Sequence, residues 1–263
     1  MLLIDRDGPI HRITLNRPEV RNAFNDELVG ALADALAEGG RDEKTRFIVL
    51  AGAGKLFCAG ADLNWMMKAA GYGAEENRRD ALRMSELFQG MIECPKPIIA
   101  RVHGAALGGA TGLIAACDIV VAEEGTVFAF SEVKLGILPA VISPHVIRRI
   151  GPVHARHWFM TGGRFDAAEA FRIQLVDRVA PTGRLDETMD ALVNELLSSA
   201  PYAMSQAKGL VGMVATAPVR DVRDDVVDLI ARLRAGDEAK EGMSAFLERR
   251  SPNWVGSQGE GGE

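Results

Sequence analysis

The chain has 263 residues, long for one domain and short for two, so length alone favours a single large globular unit, at most with a small appendage. Its 30 Lys and Arg against 36 Asp and Glu give a net charge of −6 with both signs spread along the chain, which excludes a nucleic-acid binder that relies on net positive charge. No stretch approaches the ~20 uninterrupted apolar residues of a membrane span, and Asp5, Arg6 and Asp7 interrupt any apolar leader, so no membrane association is expected.

Leu2–Asp5 and Ile10–Leu15 flank an Asp7-Gly8 turn, the combination that favours a β-hairpin because glycine tolerates positive φ. Apolar residues at helical spacing follow from Phe24 to Leu36, and Phe47–Ala51 reads as a fully buried strand. A loop of small residues runs from Gly52 to Asp62. A polar-faced helix covers about Glu75 to Cys94, and Pro95 and Pro97 end it before the strand Ile98–Val102. The glycine-bearing run from His103 to Gly112 leads into a helical Leu113–Cys117, then short strands at Ile119–Ala122, Val127–Phe130 and Val176–Val179. Buried strands alternating with helices predict an α/β core with a mostly parallel sheet. Leu185–Leu197, Pro201–Val214, Val219–Leu233 and Ala239–Arg250 all read as helices. The expected organisation is therefore a core over 1–197, a helical region over 198–255 and a disordered, non-apolar tail over 256–263.

Cys58, Cys94 and Cys117 are an odd set without C-x-x-C spacing. Neither a disulfide framework nor a zinc cluster is expected, and a reducing cytoplasm is the simplest location. The 28 glycines stand above the ~7% of average usage, which multiplies the places where backbone can approach a ligand. Two glycine-containing turns each follow a strand, Phe57-Cys-Ala-Gly-Ala-Asp62 and Ala106-Leu-Gly-Gly109. Small side chains leave their N–H groups accessible, and a helix starting at the turn aims its positive end at the same place. Facing each other, the two turns would form an oxyanion hole. Taken alone, they suit tight strand-to-helix packing equally well. Neither is a phosphate loop, and no His pairs with Ser or Cys at the spacing of a nucleophilic site.

These turns, with Lys96-Pro-Ile-Ile-Ala-Arg-Val-His-Gly-Ala-Ala-Leu-Gly-Gly109, Ala116-Cys-Asp-Ile119, Asn16-Arg-Pro-Glu-Val-Arg-Asn-Ala23, Thr161-Gly-Gly163 and Glu241–Arg250, resemble the enoyl-CoA hydratase/isomerase (crotonase) superfamily over about Leu3 to Trp254. The resemblance implies a crotonase (ClpP-like) spiral of ββα units and a C-terminal helical trimerisation region. It further implies a homo-oligomer, trimer or dimer of trimers, an acyl-CoA thioester as substrate, and no separate cofactor, coenzyme A being part of the substrate. Matched position by position, the N–H groups of Ala61 and Gly109 would bind the thioester oxygen. Ala59, Gly60, Ala61, Asp62 and Leu63 would contact the adenine end of coenzyme A, Arg21 and Ala23 would lie along its pantetheine and phosphate path, and Arg249 would reach its phosphates from a neighbouring subunit.

Family hydratases use two carboxylates. The later one matches Glu132, and the earlier position holds Gly112, which cannot transfer a proton. A carboxyl at the end of a buried segment would have its pKa raised, suiting proton transfer near neutrality. Three readings stay open: a hydratase in which Glu132 makes all proton transfers or the substrate's own carboxylate positions water, a Δ3,Δ2-enoyl-CoA isomerase with Glu132 as sole base, or another enolate reaction. A non-catalytic acyl-CoA binder is a further alternative. Phe57–Met66 and Ser131–Pro144 resemble the bacterial methylglutaconyl-CoA hydratase branch, which implies a branched acyl group and work in leucine or fatty-acid degradation. In that reading Trp65, Met66, Gly112, Pro139, Val141 and His145 line the acyl pocket. Glu123 and Glu124 are a second-carboxylate candidate only if their turn folds inward, and Asp118 reads as a backbone-capping group. The segment after Asp62 carries only Lys68 before Glu75 and Glu76, so no basic stripe offers itself to RNA.

Overall fold

The computed structural model describes residues 1–255, so the expected tail over 256–263 lies outside the described residues. The chain divides into two compact units, Met1–Met189 and the residues from Asp190 onward.

The first unit opens with the expected hairpin, β1 (Leu2–Asp7) and β2 (Ile10–Leu15), turning at Gly8 with φ 55°. Helix α1 (Asp26–Arg41) starts later and runs further than the periodicity predicts. Asn25 caps it by accepting the Leu28 N–H, and Gly39 and Gly40 extend it, because a Cβ at Gly39 would lie 2.9 Å from the His11 ring. A helix pressed this closely on the sheet needs glycine at the contact. Then come β3 (Phe47–Gly52), α2 (Leu63–Ala70), α3 (Ala74–Glu93), β4 (Ile98–Val102), β5 (Ala105–Leu107), α4 (Gly109–Ala115), β6 (Ile119–Glu123) and β7 (Val127–Ala129). The unit continues through α5 (Ser143–Thr161), β8 (Arg164–Phe165), α6 (Ala167–Arg172) and β9 (Arg178–Ala180).

The main sheet has the order β1-β2-β3-β4-β6-β9, parallel throughout except for β1 against β2. Strands β3 and β4 are buried almost end to end, the mark of parallel strands covered on both faces. The exposed β1 carries Asp5, Arg6 and Asp7 at the sheet edge, where charge discourages pairing with another chain. A second sheet, β5-β7-β8, is built from the short strands that follow β4, β6 and α5.

Several boundaries differ from those read in the sequence. The helix placed at Leu113–Cys117 begins at Gly109, because the glycine turn itself supplies its first turn. The strand placed at Val176–Val179 pairs at Arg178–Ala180, and the chain reaches it through Asp177, whose carboxylate accepts the Val120 N–H. Helix α5 has no counterpart in the sequence reading, since Gly151 (φ 75°) and Pro152 break its periodicity with a kink.

Helix α7 (Leu185–Ser198) crosses from one unit to the other, and the second unit continues with α8 (Pro201–Val214), α9 (Arg223–Ala235) and α10 (Asp237–Glu248). Helix α9 starts four residues later than Val219, after a turn in which Asp221 N–H donates to Pro218 O. Among the described residues no helix is long and apolar enough to cross a membrane.

Candidate active site

The two glycine turns meet. Gly60 has φ 92°, and a Cβ there would sit 2.6 Å from the Leu107 carbonyl oxygen, so only glycine lets the first turn approach the second this closely. Cys58 and Ala106 form a one-residue parallel bridge, Cys58 N–H donating to Ala105 O and Leu107 N–H to Cys58 O, both at 3.1 Å. A second bridge pairs Ala61 with Phe24. Phe24 N–H donates to Gly60 O and Asp62 N–H to Phe24 O, each at 2.7 Å, which turns the Ala61 N–H away from the bridge. Among the described residues the N–H groups of Ala61 and Gly109 donate to no acceptor. Gly109 is the first residue of α4, preceded by Gly108 at φ 54°.

A polar scaffold behind the first turn fixes its shape. Asn22 is fully buried in a left-handed conformation (φ 56°), and its Nδ2 lies 2.8 to 3.1 Å from the carbonyls of Ala53, Leu56 and Phe57. Its Oδ1 accepts the Arg17 N–H. The Arg17 guanidinium donates to Ala23 O at 2.6 Å and to Asp62 Oδ2 at 3.0 Å, so one side chain ties the 17–23 run to the loop carrying Ala61. Asp62 is buried and caps α2 by accepting the Asn64 N–H. Burial works against its charge, but the Asn64 N–H and the Arg17 guanidinium outweigh it and hold the carboxyl below the usual range. Burial pushes the Cys58 thiol up to about 12, and its Sγ donates to Asn22 O.

Glu132 sits in a short 3-10 turn, Ser131–Leu135, after β7. Its Oε1 lies 3.3 Å from the point a Cβ would occupy on Gly108, beside the second turn. Its Oε2 is buried without a hydrogen-bond partner among the described residues. Burial raises its pKa, with its own backbone N–H offsetting only part of the effect. An unpaired buried carboxyl oxygen is costly, and its natural complement is a proton or a ligand.

Gly112 is filled from outside. A Cβ there would lie 2.1 Å from Ile142 Cγ2 and 2.4 Å from Ile142 Cβ, and Ile142 is itself buried. The space in which a side chain at position 112 would start belongs to an isoleucine, so Gly112 faces Ile142 and not open pocket. Glu123 and Glu124 do not turn inward: Glu123 accepts the Gly183 N–H and Glu124 lies beside Thr182 Oγ1. Asp118 is a capping group, accepting the Ile98 N–H at 2.7 Å.

One stripe of α3 runs past these features. Phe88 packs against the His145 ring at 5.4 Å, Met84 Cε comes within 3.9 Å of the Cβ direction of Gly109, and Asp80 Oδ1 accepts the Trp65 Nε1 hydrogen at 3.2 Å. Burial, helped by the Arg148 charge, keeps His145 below the ordinary imidazole pKa. Trp65, Met66, Val141 and His145 are half-buried and Pro139 is buried. Arg21, Ala61 and Leu63 are exposed, and Ala59 is half-exposed. Ala23 and Gly60 are buried and their backbone groups are engaged: Ala23 N–H donates to Val20 O and its carbonyl accepts from Arg17, while Gly60 N–H donates to Cys58 Sγ and its carbonyl accepts the Phe24 N–H. Arg249 belongs to the helical unit, where it is exposed, whereas Arg250 is held by Glu241 and Glu248. Sequence reasoning did not single out Arg17, Asn22, Asp80 or Ile142. Arg17 and Asn22 stand in the quoted 16–23 run, and the spacing of Asp80, Met84 and Phe88 is a helical stripe legible in principle.

The family model described as Enoyl-CoA hydratase/isomerase matches residues 5–257. The chain belongs to this family. It is 35% identical over 266 residues to a carnitinyl-CoA dehydratase of Salmonella enteritidis, covering 97% of this chain and 98% of that one. Among solved structures it is similar to an enoyl-CoA hydratase of Shewanella pealeana (38% identity, 96% and 95% of the chains, TM-score 0.92) and to Pseudomonas aeruginosa AtuE (36%, 97% and 99%, TM-score 0.94). The mixed α/β fold is the crotonase fold, shared with the enoyl-CoA hydratase of Shewanella pealeana and with an enoyl-CoA hydratase/isomerase (crotonase) structure from Legionella pneumophila.

Proposed function

We propose that the chain is a hydro-lyase that adds water reversibly across the α,β double bond of an enoyl-CoA, with a branched, methylglutaconyl-type acyl group as substrate. The observation that carries the reading is Glu132, whose carboxyl stands beside the turn that presents the Gly109 N–H and whose Oε2 is buried without a partner among the described residues. In the forward direction water loses a proton to the Glu132 carboxylate as its oxygen bonds to the β-carbon. The C=C electron pair moves onto the thioester oxygen, where the N–H groups of Ala61 and Gly109 receive the charge. Glu132 then returns the proton to the α-carbon and the thioester carbonyl re-forms. One carboxyl makes both transfers, and its raised pKa suits it to alternate between base and acid near neutrality.

Coenzyme A enters as part of the substrate, held by the Ala59–Leu63 loop and by Arg21 and Ala23 of the run that Arg17 ties to that loop. Arg249, exposed and without an ion pair among the described residues, is offered to the phosphates of a neighbouring subunit's ligand. The exposed Phe246 and Leu247 of α10 support a homo-oligomer, trimer or dimer of trimers.

The Ile142 side chain over Gly112 favours a second reading, a Δ3,Δ2-enoyl-CoA isomerase, since moving a double bond needs only one base. Product mass separates the two. The purified protein is expected to consume the conjugated thioester absorbance of a methylglutaconyl-type enoyl-CoA and add the mass of water, and Glu132→Gln to lose at least ~100-fold of that rate. Conversion of a 3-enoyl-CoA without mass change, with a straight-chain and a methylglutaconyl-type conjugated enoyl-CoA both left untouched, would replace hydration by isomerisation.

A further inference from the structure

With Gly112 closed off by Ile142, the attacking water of the proposed hydration has only Glu132 to hold it, yet a water carries a second hydrogen. A carboxylate accepting that hydrogen would fix the direction of the lone pair that attacks the β-carbon. Asp80 is placed for this. It lies one turn before Met84 on α3, about 6 Å along the axis, and Met84 reaches the Gly109 turn. Its partner Trp65 lies in the first turns of α2, which starts two residues after Ala61. The Asp80–Trp65 pair therefore bridges the helix that follows one oxyanion donor and the helix that packs against the other. Glu132, in the turn after β7, lies beside Gly108, the residue that precedes the Gly109 donor.

The indole N–H takes Oδ1 and orients the carboxyl, which leaves Oδ2 for a second donor. Asp80 is half-buried, and burial raises its pKa more than Trp65, Arg83 and Lys68 lower it, with Asp26 of α1 adding to the rise. Arg83 and Lys68 act on it only through their charge, and its hydrogen-bond donor is the Trp65 indole.

We propose that Asp80, oriented by the Trp65 indole, is the positioning carboxylate for the attacking water, on the α3 side of the thioester. The inference rests on the hydratase reading above. In the step itself Asp80 gains and loses no proton. Its Oδ2 accepts one O–H of the water throughout, while the other proton travels to Glu132 and on to the α-carbon.

The test uses the full-length protein with Asp80→Asn, Asp80→Glu and Trp65→Phe, and two readouts. One is hydration of a methylglutaconyl-type and a straight-chain enoyl-CoA. The other is exchange of the α-proton of a saturated acyl-CoA in D2O, in which Glu132 removes the α-proton, the thioester oxygen takes the charge and a deuteron returns. That exchange needs Glu132 and the two N–H donors but no bound water nucleophile. Asp80→Asn is expected to lower kcat for hydration on the order of 100-fold with KM changed less than about 3-fold, the usual size of a misplaced reactant. Exchange should change far less, Asp80→Glu should recover part of the hydration rate, and Trp65→Phe should lose a smaller factor in the same direction. Equal hydration by Asp80→Asn and wild type overturns the proposal. So does a parallel loss of hydration and exchange with a lowered Tm, which would make the pair structural. If wild-type protein exchanges but hydrates neither substrate, the hydratase reading itself fails and the water-positioning role with it.

Discussion

Gly112 sits in the interior of α4, where replacing glycine by alanine ordinarily stabilises a helix by about 1 kcal/mol. Here the sign should reverse. The new Cβ would lie 2.1 Å from Ile142 Cγ2, whereas carbon atoms rest at about 3.5 to 4.0 Å, so Ile142 must retreat by roughly 1.5 Å inside a packed core. Overpacking of this kind costs about 1 to 3 kcal/mol, and an overlap this deep belongs at the upper end. Subtracting the helix gain leaves Gly112→Ala destabilised by about 2 kcal/mol, or roughly 4 to 8 °C in Tm. In an Ile142→Ala background, itself about 2 to 5 kcal/mol less stable, the overlap disappears and Gly112→Ala should be neutral or stabilising. The double-mutant cycle, measured by urea unfolding at one fixed protein concentration, should therefore show a coupling of about 3 kcal/mol. If Gly112→Ala stabilises the wild-type background, or costs the same in both, Ile142 does not own that space. A carboxylate at 112 would then be a matter of one substitution.

Glu132→Gln should be more stable than wild type at neutral pH. A carboxyl whose folded pKa is raised contributes its stability below the unfolded glutamate range near pH ~4.3 and loses it as pH rises through the folded value. The gap in urea midpoint between the two proteins should open with rising pH above that range, and a gap that is flat with pH would contradict the burial argument. Asn22→Ala leaves the Ala53, Leu56 and Phe57 carbonyls without their amide and puts a Cβ residue of no local hydrogen-bonding ability at φ 56°. It should cost about 2 to 4 kcal/mol in thermal unfolding and raise KM for acyl-CoA, since the Ala61 loop rests on that amide. The thiols of Cys58, Cys94 and Cys117 are all buried, so a thiol reagent should label the native protein only as fast as it unfolds. Rapid labelling of one thiol under native conditions would show the core around it to be open.

The parallel sheet and the glycine turns were legible because both are written locally. Phe47–Gly52 and Ile98–Val102 are apolar runs bounded by turn residues, and the turns gather small residues within a few positions. What stayed hidden is long-range. That Gly60 must be glycine follows from the Leu107 carbonyl 47 residues away, and that Gly112 is closed follows from Ile142, 30 residues away. Helix α5 is hidden for the opposite reason: its local signal, Gly151-Pro152, speaks for a break, and the backbone does break there (φ 75°, ψ 162°), so two short helical pieces, held in the core by Val146 and Ile150 on one side and Ala155 on the other, meet at a kink. The Arg17 and Asn22 scaffold had a visible motif but no visible role, because hydrogen bonds from one loop to another leave no periodicity.

The oxyanion reading makes one demand that separates close approach from mere backbone strain. Gly60 and Gly125 both have positive φ, 92° and 85°, so alanine strains either position by a similar amount, about 1 kcal/mol or somewhat more. They differ in surroundings: a Cβ at Gly60 would meet Leu107 O at 2.6 Å, and one at Gly125, in the turn between β6 and β7, would meet nothing within 4 Å. Gly60→Ala must therefore push the Ala61 turn away from the Gly109 turn, and the N–H pair can no longer converge on one oxygen. Losing one such donor costs about 3 to 4 kcal/mol in the transition state, so kcat should fall on the order of 100- to 1,000-fold. Gly125→Ala should lose only stability, with kcat within about 3-fold of wild type. Steady-state turnover of the two variants, each measured well below its own Tm, decides the matter. Equal turnover would mean that the convergence of Ala61 and Gly109 is a packing feature and not the source of catalysis.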